Sequence, residues 1–286
     1  MKNDIPLLKT ERLLLSNGKH LRIARRGNGP PIVLLHGYPE NLQVWSKLAP
    51  LLADRFEVIA FDWPGMGYSD EWPGGATPQL LAKRLLTIFD ELKLSRPTVL
   101  GMDMGGQPAL AFAAMYPDRI HLLIVMNSLV FGDEKTSWEI RWLRKFGFNR
   151  FALRTLPGFI FRRAERTFLP GGTRLDDRLR SDFRTAFETS AVRKFISKMC
   201  AGYQGTLDQL PAIYETIRCP TLVLWAEHDK HFPSVQGTRL HQAIHGSALN
   251  IVRAATHWMP LTHPQELADA IKSFDVGGQH REGQTS

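Results

Sequence analysis

Short, wholly apolar runs that alternate with helix-patterned stretches constrain this chain most. Pro31-Ile-Val-Leu-Leu35 and residues 56–61, 97–101 and 120–126 each read as a buried strand. Residues 41–53, 77–92 and 105–115 carry apolar side chains at helical spacing. Strands alternating with helices build a parallel sheet wrapped on both faces. Thr77 is expected to cap the helix that follows it. From about 131 to 215 the rhythm stops. That segment is helical in pattern, is broken at Pro157-Gly158 and at Pro170-Gly171-Gly172, and is far longer than a connecting loop. The rhythm resumes with a strand at 220–225, a helix from Ser234, a strand at 248–252 and a helix at 264–274. Residues 1–130 and 216–275 therefore read as one α/β core, 131–215 as a helical insertion, and 276–286 as a disordered tail.

Composition narrows the function classes. The chain has 286 residues, 43% of them hydrophobic, enough for a sizeable core. No apolar run reaches the roughly 20 residues of a spanning helix, so no integral membrane segment is expected. Residues 1–9 lack the apolar stretch and cleavage site of a secretory leader. The only cysteines, Cys200 and Cys219, form no Cys-x-x-Cys pair. That excludes a disulfide framework and a thiolate zinc site, and it suits a reducing, cytoplasmic location with no metal or cofactor. The formal charge is +8, and residues 131–215 hold 16 Lys/Arg against 10 Asp/Glu, so most of the excess lies in the insertion. No nucleic-acid motif accompanies it. Nothing in the sequence sets an oligomeric state.

The segment with most chemical content is Gly101-Met-Asp103-Met-Gly105-Gly106, between an expected strand and an expected helix. A sharp strand-to-helix turn needs small residues around its apex and thrusts the apex side chain above the sheet. Here the apex is Asp103, read either as a nucleophile or as a cap of the next helix. Three other segments follow strands: His36-Gly37-Tyr38-Pro39; Asp62-Trp-Pro-Gly65-Met-Gly67; and Trp225-Ala-Glu-His-Asp229. His257 follows the last strand. The order Asp103, Asp229, His257 is that of nucleophile, acid and base in one class of hydrolytic triad. Glu227 competes with Asp229, and His228, His231 and His263 compete with His257. His36 reads as structural.

With these motifs the chain resembles the α/β-hydrolase fold superfamily over about residues 20–130 and 218–275. The fold so implied has a mostly parallel central sheet flanked by helices, with a helical cap inserted after the sixth strand. An Asp nucleophile resembles the epoxide hydrolase and dehalogenase branch. That resemblance implies a covalent alkyl-enzyme ester on Asp103, water activated by His257, and an imidazole oriented by Asp229. The backbone N–H groups of Tyr38 and Met104 would form the oxyanion hole.

The substrate class remains divided. Epoxide hydrolases protonate the leaving oxygen with a pair of cap tyrosines. Tyr203 matches one of these, and no second is evident. Haloalkane dehalogenases commonly carry a Trp after the nucleophile, where this chain has Met104, although Trp138 and Trp142 could hold halide. The loop 36–45 is also similar to fluoroacetate dehalogenases, which carry an Arg where Met104 stands. An epoxide hydrolase acting on a small apolar substrate ranks first and a haloalkane or haloacetate dehalogenase second. A serine-hydrolase relative with an altered apex, or a non-catalytic ligand binder, stays open. The aromatic, Arg-rich residues 138–169 read as the lining of a pocket or as a membrane-surface helix.

Overall fold

The computed structural model describes residues 6–133, 136–143 and 146–282. Eight strands form one sheet in the order β1-β2-β4-β3-β5-β6-β7-β8. They are β1 (Glu11–Leu14), β2 (His20–Arg26), β3 (Pro31–Leu35), β4 (Glu57–Phe61), β5 (Thr98–Met102), β6 (Leu122–Met126), β7 (Thr221–Ala226) and β8 (Ala248–Val252). From β4 onward across the sheet every pairing is parallel, with Val33 opposite Ile59 and Val99 opposite Leu123. β3, β5, β6 and β7 are buried almost throughout, as expected of strands covered on both faces.

Three helices alternate with the early strands: α1 (Leu48–Leu52), α2 (Pro78–Glu91) and α3 (Gly106–Met115). Thr77 Oγ1 accepts the Leu80 N–H at 3.3 Å, and Pro78 occupies the first turn, where its missing N–H costs nothing. Leu81, Leu85, Ile88 and Phe89 form the buried stripe of α2, which packs on α3. Between β6 and β7 lie α4 (Trp138–Leu143), α5 (Phe146–Thr155), α6 (Pro157–Phe168), α7 (Asp177–Phe187), α8 (Ser190–Thr206) and α9 (Pro211–Tyr214). After β7 come α10 (Ser234–Ala243), α11 (Met259–Thr262) and α12 (Pro264–Glu282).

Three local expectations differ from the structure. Residues 41–53 do not form one helix. A 3-10 turn at Leu42–Trp45 precedes α1, because Pro50 has no N–H for the Ser46 carbonyl and must sit in a first helical turn. The last helix does not stop at 274. It continues to Glu282 with no proline to end it. β1 and β2, antiparallel to their neighbours, were not expected at all.

An ionic bridge ties the insertion to the sheet. Arg22 on β2 reaches Asp62 Oδ2 at 3.4 Å and Asp182 Oδ1, on α7, at 3.0 Å. Asn41 Nδ2 donates to Asp182 as well, at 3.2 Å. Burial pushes the Asp62 carboxyl up to about 6, against the pull of Arg22 and of the Leu42 and Tyr68 N–H groups.

Candidate active site

Four loops meet at the carboxyl ends of the parallel strands. They follow β3, β5, β7 and β8 and bring Gly37, Asp103, Asp229 and His257 together. Asp103 stands at φ +52°, in the left-handed region that Asp tolerates better than most residues. Its N–H donates to Asn127 O at 3.1 Å, and Ser128 Oγ donates to its carbonyl at 2.6 Å, so the end of β6 holds the apex.

The flanking glycines are required by space. A Cβ on Gly101 would lie 2.3 Å from Gly105 O, and one on Gly105 would lie 2.5 Å from Leu35 O. A Cβ on Gly37 would lie 2.3 Å from Asp103 Cβ. Gly37→Ala is therefore expected to displace the Asp103 carboxylate and cut kcat about 100-fold with the fold retained. Steady-state turnover beside a circular dichroism spectrum checks this. Wild-type turnover in the variant would show that the contact is inconsequential.

Asp103, at 3% exposure, presents its two oxygens to different partners. Oδ1 accepts from the Met104 N–H, and Oδ2 lies 3.3 Å from His257 Nε2. That contact is close but not aligned as a hydrogen bond, so the Nε2 proton stays available to a third group. On the other side of the ring, His257 Nδ1–H donates to Asp229 Oδ2 at 2.7 Å. Asp229 Oδ1 accepts the N–H groups of His231 at 2.7 Å and Phe232 at 3.0 Å. Glu227 instead accepts the Ala254 N–H near the surface, where His228 faces it at 3.7 Å. Geometry thus joins Asp229 and His257 to Asp103, and leaves Glu227 and His228 outside.

The imidazole is wholly buried, with the Phe168 ring tilted against it at 4.1 Å between ring centres. Burial disfavours its cation, but Asp229 and then Asp103 outweigh that and raise its pKa to about 10. His36 behaves oppositely. Burial pushes it down to about 4, and its neutral ring accepts the Trp63 N–H while Nδ1–H donates to Gly37 O, so it shapes the loop.

One buried carboxyl escaped the sequence reading. Glu40 accepts the Gly37 N–H at 3.2 Å and the Trp258 Nε1–H at 3.1 Å. Burial, together with the charge of Asp103, raises its pKa to about 7. It braces the loop over the nucleophile. Its place in the loop 36–45 was visible, but not its contact with Trp258, 218 residues away.

A pocket of about 120 Å³ opens above Asp103. Tyr38, Trp138, Trp142, Phe159, Arg163 and His231 are among its walls. Both sequence-selected tryptophans therefore reach it, half-exposed at 50% and 45%. Arg163 pairs with Glu139 and lies over the Trp138 ring. His231, also unexpected as a wall, links Ser137 Oγ at 2.8 Å to Thr167 Oγ1 at 2.7 Å. Tyr203 lies on α8, and its side chain is outside the described residues. Among the described residues no cluster of His, Cys, Asp and Glu could hold a metal ion, and no helix is long and apolar enough to cross a membrane.

Known proteins share this architecture. The chain is 27% identical over 273 residues to the 2-hydroxy-6-oxononadienedioate/2-hydroxy-6-oxononatrienedioate hydrolase of Escherichia coli (strain K12), covering 90% of this chain and 92% of the relative. A thermophilic esterase from Thermogutta terrifontis superposes with a TM-score of 0.78 at 26% identity, over 94% of this chain and 99% of the esterase. The epoxide hydrolase CorEH superposes with a TM-score of 0.82 at 18% identity, over 94% and 99%, a likeness of fold alone. The sequence profile of the alpha/beta hydrolase fold matches residues 30–264. A parallel sheet in this order, a left-handed apex after β5 and that match together make this chain a hydrolase of the alpha/beta hydrolase fold family.

Proposed function

We propose that the protein hydrolyses small apolar molecules through an ester on Asp103, with an epoxide as the first substrate class. The observation that carries this is the line Asp103–His257–Asp229, with contacts of 3.3 and 2.7 Å beneath an apolar pocket. Residues 131–215 act as the cap that closes it.

In the first half-reaction an Asp103 oxygen attacks an electrophilic carbon, the carbon–oxygen bond of the ring breaks, and the alkoxide takes a proton. The Tyr38 phenol, in the pocket wall and 3.8 Å from Cys200 Sγ, is placed to supply that proton, as is Tyr203 by family resemblance. In the second half-reaction water adds to the ester carbonyl and His257 takes its proton. The oxyanion so formed meets the N–H groups of Met104 and Tyr38; on its collapse the ester bond to the alkyl oxygen breaks, that oxygen takes the second proton of the water, the diol leaves, and the Asp103 carboxylate and the His257 imidazolium are restored.

The charge state of His257 fits this order. While Asp103 is ionised the imidazole holds its proton. Once Asp103 is an ester, one of the two carboxylates that raise the imidazole pKa is gone, so the ring gives its proton up to the phenolate left by the first half-reaction and can then act as a base. Halide displacement is the alternative, favoured by the two indoles in the pocket wall.

Single turnover of an epoxide in water labelled with oxygen-18 is expected to leave label in the peptide bearing Asp103. An unlabelled peptide despite turnover excludes the ester. Halide release from a haloalkane, with no epoxide turnover, transfers the reading to dehalogenation.

A further inference from the structure

A second cavity lies between α5 and α8. It measures about 900 Å³, and none of its walls belongs to the pocket above Asp103. Arg154, Arg193, Lys194 and Lys198 converge on it, with the hydroxyls of Ser190 and Ser197. Ser190, Arg193, Lys194, Ser197 and Lys198 recur three and four residues apart, so one face of α8 supplies them. Among the described residues no carboxylate lines it. Lys198 pairs outward with Glu71 at 3.0 Å.

Beneath that face two donors closed to solvent have no partner among the described residues. Ser197 is about nine-tenths buried, and its Oγ makes no hydrogen bond. Arg193 donates Nη1–H to Leu153 O at 2.8 Å and Arg154 O at 3.0 Å, which fixes its guanidinium against the end of α5, while its Nε–H is left unmatched. Converging cations repel one another. One ligand relieves that repulsion: a group with several charged oxygens pointing in different directions. A carboxylate offers two coplanar oxygens, whereas a phosphate offers a tetrahedral set suited to a guanidinium, ammonium groups and hydroxyls together.

We propose that the α5–α8 cavity binds a phosphate group, either of a soluble phosphate ester or of a lipid head group. Phe151, 61% exposed, also lines the cavity and gives an apolar neighbour to the remainder of such a molecule.

Calorimetric titration of the intact protein with inorganic phosphate at low salt tests the site. Saturable binding is expected, weakened about tenfold in the double variant Arg154→Gln, Lys194→Gln, whose altered side chains are exposed. Asp103→Asn should bind as wild type, which separates this site from the catalytic reading. Sedimentation with phosphatidylcholine vesicles, with and without phosphatidylglycerol, distinguishes the source. Capture by the anionic vesicles that phosphate reverses assigns a lipid head group, and phosphate binding without capture assigns a soluble ester. No saturable phosphate binding, or equal binding by the double variant, overturns the proposal.

Discussion

Asp103→Asn is expected to lower kcat at least about 10⁴-fold on any substrate the wild type turns over. An amide oxygen is a poor nucleophile and gives no stable ester, so the first half-reaction has no acceptor for the alkyl group. The substitution is nearly isosteric, and the Asn carbonyl can still accept the Met104 N–H, so the elbow keeps its shape. The loss would therefore report chemistry rather than unfolding. Turnover should be measured beside the intact mass of the variant, because deamidation would regenerate Asp. Undiminished activity in a verified Asn protein would remove Asp103 from catalysis and leave the altered-apex reading.

His257→Gln should separate the two half-reactions. Alkylation of Asp103 does not need a base, whereas hydrolysis of the ester does. One equivalent of substrate should be consumed rapidly, after which turnover stops and the intact mass rises by that of the substrate. Steady-state kcat is expected to fall by about 10⁴-fold. Absence of an adduct would assign the base elsewhere.

The same variant isolates a pH effect. The His257 pKa is raised from 6.5 to about 10 in the folded protein, so the paired imidazolium stabilises the fold fully below about 6.5. That contribution is lost as pH rises through about 10. The wild-type melting temperature should thus decline more steeply than that of His257→Gln across this interval, and parallel curves would show the ion pair to be unimportant.

The residues of the site were readable because each stands at a punctuated place, just after an apolar run. Gly101, Gly105 and Gly106 announced the elbow by steric necessity, since their neighbours leave no room for a Cβ. β2 was less legible. Only Leu21 and Ile23 of its core-facing side chains are wholly buried, and the charges of Arg22, Arg25 and Arg26 mask the alternation. β1 is four residues long and largely exposed, too short for its Leu13 and Leu14 to show an alternation. Glu40 and His231 were missed for a different reason. A charged or polar residue in a loop reads as solvated, and its burial depends on partners such as Trp258 and Thr167 that only the assembled fold supplies. The Arg22–Asp182 pair, 160 residues apart, is invisible to any local pattern.

The position of α4–α9 within the sheet has a consequence for how the protein comes to be active. β6 and β7 are neighbours in space, yet about 94 residues separate Met126 from Thr221. Closing a chain segment of that length costs about 4 kcal/mol in entropy before any pairing is gained. Asp103 lies before the gap, and Asp229 and His257 lie beyond it, after β7 and β8. A nascent chain thus carries Asp103 on its turn without His257 until this long-range closure is made, and pairing of β7 with β6 is the step that brings Asp103, Asp229 and His257 into one site.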